Sequence, residues 1–134
     1  MAYEGQQPLK LGEFTAAADL SGKQYYFVKL ASATTVDVCS AVTDIPIGVL
    51  QNKPTSGQAA EVVTIGQTKI SADANLGQGD LIATSSDGQA QTFTAGTDTT
   101  AYCVGRVITD PAAAGEIHTA IVNCVNPFRG IAGI

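Results

Sequence analysis

The sequence predicts an all-β protein: a compact single-domain β-barrel or β-sandwich with an extended N-terminal arm. Three observations carry this. Short runs of β-branched, aromatic and apolar residues recur along the chain, turn residues punctuate them at regular intervals, and sustained helical periodicity is absent. With 134 residues, the chain is long enough to bury a core of its own.

Residues 1–13 read as an arm. Glu4-Gly5-Gln6-Gln7-Pro8 is polar and rich in helix breakers, and Leu9-Lys10-Leu11 alternates apolar and polar. Two readings stay open for it: an edge strand with a frayed end, or a segment that orders only against a partner. The β domain is expected over 14–125. Strand-like runs fall at 25–30, 35–39, 46–50, 61–66 with a continuation through 67–72, then 81–84, 89–93, 104–108 and 117–122. Asp87-Gly88 sits between two of these runs and predicts a tight hairpin, with type I′ geometry expected from the glycine. The best helical candidate is 110–114, where Asp110 could cap and Pro111 begin a turn, but Gly115 ends it at once and a turn is expected. The tail 126–134 is apolar yet broken by Pro127, Gly130 and Gly133, so it either packs on its own domain or is buried by a neighbour.

The chain echoes itself. Ile47-Gly48-Val49-Leu50, Pro54, Gly57 and Val62-Val63 recur as Val104-Gly105-Arg106-Val107-Ile108, Pro111, Gly115 and Ile117, with Gly48 and Gly105 offset by 57 residues. A glycine inside a strand marks a bulge or a close backbone approach. The echo is either shared hairpin grammar or a barrel built from two similar units.

Charge excludes some partners. Only 14% of residues are charged and the net charge is −5, without a basic cluster, so no nucleic-acid partner is expected. No apolar stretch approaches the ~20 residues of a membrane helix, and the first ten residues lack the basic and apolar regions of a secretory signal. Cys39, Cys103 and Cys124 are far apart and lack any Cys-x-x-Cys spacing, which predicts buried free thiols.

Catalytic patterns are not found in the sequence. The single histidine, His118, lies in a strand-like run without a nucleophile elbow anywhere in the chain, and is expected to face solvent. Asp80, Asp87, Asp98 and Asp110 stand at turn-like sites, where their side chains can bond nearby backbone N–H groups. Calcium-loop and zinc-ligand spacings are lacking, and Gly77-Gln78-Gly79 has neither the helix nor the Lys-Ser/Thr of a phosphate loop. No catalytic residue, cofactor or metal is therefore expected, and the protein is not expected to be an enzyme.

The order Gly79-Asp80, Asp87-Gly88, Val104-Gly105-Arg106, Gly115-Glu116 within residues 18–125 resembles the small all-β decoration, or cement, proteins of tailed-phage heads. The resemblance implies a β-tulip or β-clip-like domain on the outside of a capsid, made in the host cytoplasm and placed on the virion. It implies contacts with the major capsid protein and with neighbouring copies in a homotrimer. In that role the protein would hold the head against its internal DNA pressure. A terminal arm could add a strand to a partner sheet, with Leu9, Leu11 and Phe14 as apolar anchors. Tyr3 in the arm and Pro127, Phe128 and Arg129 in the tail complete the candidate contact residues. Two other classes stay open: another virion part, such as a tail-tube or fibre-associated domain, and an ice- or glycan-binding module. A tube protein would need a long strand pair, which the sequence does not suggest. Thr92-Phe93-Thr94 and Thr97 to Thr100 lack the fixed repeat of an ice-binding array.

Overall fold

The computed structural model describes residues 8–109 and 115–129. Every regular element among them is a β-strand. In chain order these are β1 (Leu9–Ala16), β2 (Phe27–Leu30), β3 (Thr35–Val38), β4 (Gly48–Leu50) and the long β5 (Ala59–Ser71). Then follow β6 (Leu81–Thr84), β7 (Ala90–Thr92), β8 (Tyr102–Cys103), β9 (Gly105–Val107), β10 (Ile117–Asn123) and β11 (Phe128–Arg129).

Nine strands join in one sheet that curls into two rings. In the first, β1 runs parallel to β3 and antiparallel to β5, so the order β1-β3-β2-β4-β5 returns to its start. In the second, β5-β10-β9-β6-β7 is closed by a parallel bridge between Ala72 and Ala90. Closure removes the free edges along which extended strands aggregate. β5 belongs to both rings: its first half pairs with β1 and β4, and its second half pairs with β10 from Ser71↔Ile117 to Ile65↔Asn123.

Each ring has its own interior. The first is filled by Ala16, Leu20, Val28, Val36, Leu50, Ala60 and Val62. The second is filled by Ile70, Ala72, Leu76, Ile82, Ala90, Val107 and Ala120, in a cluster that also takes in Phe27, Cys39, Val49 and Val63 from the first ring's strands.

The internal echo is structural. The β2–β3 hairpin pairs Val28 with Val38 and the β6–β7 hairpin pairs Ile82 with Thr92; Val28 faces Gly48 as Ile82 faces Gly105. The bonds outside the ladders repeat as well. Tyr25 N–H donates to the Leu50 carbonyl (2.7 Å) as Gly79 N–H does to that of Val107 (2.8 Å), and Gln51 N–H to Glu61 as Ile108 N–H to Thr119 (2.8 Å each). Gly57 N–H donates to the Ala16 carbonyl (2.9 Å) where Gly115 N–H donates to Ala72 (2.7 Å). Tyr25 adopts φ 67° at the position where the second unit has Gly79 at φ 84°, a left-handed backbone that suits glycine far better than an aromatic residue. The chain is thus two copies of one five-stranded barrel, with β5 the last strand of one and the first of the next. Gly48 and Gly105 hold equivalent places: a Cβ on Gly48 would lie on Val62 Cγ1 and the Val63 carbonyl, and one on Gly105 on the Ile121 carbonyl.

Several expectations need correction. The boundary drawn at residue 13 falls inside β1, so residues 9–13 belong to the sheet; Leu9↔Ile65, Lys10↔Val63 and Leu11↔Val62 pair with β5. A register shift follows between Leu11 and Phe14, where Glu13 takes φ 67°, the mark of a bulge. His118 faces inward, not to solvent. Its cross-strand partner is core Ile70, and it is only 3% exposed, while Ile117 and Ile121 take the outer face of β10. In a strand, one step of register exchanges the two faces. The Asp87-Gly88 turn is not type I′: Gly88 has φ 86° but Asp87 is not left-handed, and Ser85 N–H donates to the Gln89 carbonyl across a longer, bulged loop. β5 spans 13 residues as one strand, joining the run 61–66 to its continuation through 67–72, and its partners within the chain occupy it throughout. The expected turn at 110–114 lies outside the described residues.

Deleting residues 2–11 removes the first three of the eight residues of β1 and the Leu11 contact with the first core. The expected result is a fall in Tm of about 5–10 °C, the change that roughly 2 kcal/mol produces in a domain of this size, measured by calorimetry. An unchanged Tm would mean that Leu9, Lys10 and Leu11 add no stability.

Candidate interaction surfaces

β1 carries three of the candidate contact residues. Leu9 is 53% exposed, whereas Leu11 and Phe14 are half-buried and pack on the first barrel core. They already serve their own domain, so of the three only Leu9 offers a largely free apolar surface. Lys10 reaches Glu61 at 3.1 Å across the exposed β1–β5 pair, a contact worth little in water. Tyr3 lies outside the described residues.

The tail folds back as β11 onto β8, pairing Phe128 with Cys103 and Arg129 with Tyr102. Phe128 meets Phe93 edge to face, with ring centroids 6.2 Å apart, yet stays 57% exposed. The Arg129 guanidinium sits 5.7 Å over the Tyr102 ring and donates from Nε to the Thr99 carbonyl at 2.9 Å. This tail segment therefore packs on its own domain while leaving a large aromatic face open.

Pro127 helps form an open groove of about 520 Å³ with Leu30, Ile45, Pro46 and Val125. Leu30, Ile45 and Val125 are exposed apolar residues that the sequence reading missed. An ion pair borders the groove. Lys29 Nζ lies 2.9 Å from Asp44 Oδ2, which also accepts from the backbone N–H of Ser40 (2.8 Å) and Ala41 (3.1 Å). Burial pushes the Asp44 carboxyl upward, but the Lys29 ammonium and the two N–H donors outweigh it and hold it below the usual carboxylate range. Asp98 Oδ2 makes the equivalent turn in the second unit by accepting from Thr94 N–H at 2.6 Å. Asp80 likewise accepts from Gly77 N–H at 2.7 Å. These are the turn roles expected of Asp80 and Asp98.

Cys39 and Cys124 are buried, and burial pushes both thiols up to about 12; Cys103 is half-buried and raised for the same reason. Raised thiols are poor nucleophiles at neutral pH. In native protein, a small thiol reagent is expected to label Cys103 alone, and slowly, with all three thiols labelled after denaturation. Rapid native labelling of Cys39 or Cys124, read by peptide mass spectrometry, would contradict this packing. Among the described residues, no group of three His, Cys, Asp or Glu side chains is placed to hold a metal ion. Among the described residues, the Nε2 of His118 and the Oγ1 of Thr64 are buried without a partner.

No family model and no curated protein matches this sequence. Solved structures do match. The head fiber gp8.5 N base of bacteriophage phi29 superposes with a TM-score of 0.65 at 16% identity, over 88% of this chain and 96% of that one. A chain from the capsid of Myoviridae phage XM1 superposes with a TM-score of 0.62 at 18% identity, over 88% of this chain and 84% of that one. The chain therefore has the all-β fold seen in these phage head proteins.

Proposed function

We propose that this protein is a structural component of a phage virion, a decoration protein on the outer surface of the head. It binds the major capsid protein and neighbouring copies of itself in a homotrimer, reinforces the shell against the pressure of packaged DNA, and carries out no catalysis. The observation that carries this reading is the fold shared over most of the chain with two phage head proteins. The exposed apolar residues support it: Leu9, Leu30, Ile45, Val125 and Phe128 lie on a molecule with few charges, the composition that contact surfaces favour. Many copies make modest contacts effective, because each bound copy adds to a repeated lattice.

The test is co-sedimentation of the purified protein with undecorated heads, followed by heating of decorated and bare heads. Saturable binding and a higher temperature of DNA release are expected. Absence of binding to heads from the phage that encodes the protein would overturn the reading. A second reading, the base of a head fibre, is favoured by the 96% coverage of the phi29 chain. Electron microscopy of decorated heads separates the two, since a fibre base would hold a projecting shaft.

A further inference from the structure

We propose that copies of this chain join head to tail, with the β2–β3 tip of one copy seated on the outer face of the second barrel of the next. This deepens the self-association in the proposed function and rests on that part alone, so it stands or falls in the absence of any shell. The duplicated barrel supplies the argument. Within one chain, the second barrel's β6–β7 tip already docks on the outer face of the first barrel. Phe27 N–H donates to the Gly88 carbonyl at 2.7 Å, and Gly88 lies against Val38 and the Cys39 carbonyl. The face beside the docked tip is a row across three paired strands, Phe27–Val49–Val63, and all three side chains are buried in one cluster with Ile82 and Ala90 of the second barrel.

The second barrel has the same row, in the same register, as Leu81–Arg106–Ile121. Here the cover is partial: Leu81 packs beside Phe93 and Ala101, but Ile121 is 50% exposed, and Leu81, Gly105, Arg106, Ile121 and Asn126 line an open hollow. At the other end of the molecule, the first barrel's tip has no face to sit on. Leu30 is 51% exposed where its counterpart Thr84 is fully buried, and residues 31–34 are exposed throughout. One end thus displays a tip without a face and the other a face without a tip. An interface of this kind joins two different patches, so successive copies either close into a ring or extend into a filament. A repeat array with uncovered ends extends by the same contact that holds it together. Thr34 stands where the inner tip has Gly88, so the contact between copies is looser than the one within the chain.

The test uses the full chain without heads, with the variants Leu30→Asp and Ile121→Lys. Both positions are exposed, so circular dichroism and Tm should match the parent protein. Sedimentation velocity at micromolar concentration is expected to show the parent as an oligomer and each variant as a monomer. A mixture of the two variants restores one junction, the Ile121→Lys tip on the Leu30→Asp face, and is expected to give dimers and nothing larger. A monomeric parent, oligomeric variants or a mixture that stays monomeric would each overturn the proposal. Binding of the monomeric variants to heads reads the shell contact separately.

Discussion

Phe27→Ala is expected to destabilise the protein by about 3–5 kcal/mol, read as a lower midpoint in urea denaturation at unchanged slope. Phe27 is the largest of the fully buried side chains, and it points out of the first barrel into the cluster dominated by the second. Truncating it opens a cavity between the barrels, where Val49, Val63 and Ile82 cannot close in without moving strands that β5 holds in place. A loss below about 1 kcal/mol would mean that the two barrels do not depend on this contact.

Gly48→Ala and Gly105→Ala form the second large pair. Each added methyl group would be driven into a neighbouring strand, and in both cases the atom it meets includes a backbone carbonyl, which cannot rotate away as a side-chain end can. Overpacking of this sort costs about 1–3 kcal/mol, and the upper end is expected here for both. The check is paired thermal denaturation of the two single variants. Similar losses support equivalent roles in the two units. A neutral Gly105→Ala beside a damaging Gly48→Ala would show that the barrels resemble each other in path but not in packing.

Much of this fold could be read from the residues. Runs such as 25–30, 61–66 and 117–122 are long enough and β-prone enough that their state follows from local preference, and all three lie in or around strands. The repeat at Gly48 and Gly105 was visible because glycine is demanded by a close approach, and that demand leaves a trace in sequence. What stayed hidden was facing. His118 and Ile121 share one strand, and an apolar-rich run such as Ile117-His118-Thr119-Ala120-Ile121-Val122 can be hung on either face with similar local preference; only its register against Ile70 decides. The two-residue strands β8 and β11 were also illegible, because pairs that short owe their state to Phe93 and Phe128 meeting in space. The contact surface suffered most. Exposed Leu30, Ile45 and Val125 are read as core in any sequence pattern, and they become a surface only through the path of the chain.

The sharing of β5 between the barrels sets how the molecule carries a load. A chain of two separate domains gives way at its linker, one bead at a time. Here the linker is itself a strand held by hydrogen bonds along its length, so a pull between the barrels must shear β10 and β1 past it with many bonds strained together. The slowest amide exchange is therefore expected on either side of the middle of β5, at buried Val62–Thr64 and at Ile70–Ser71, and both halves should open in a single event rather than in turn. Such a piece has no unpaired linker, so strain entering one barrel passes to the other through paired strands.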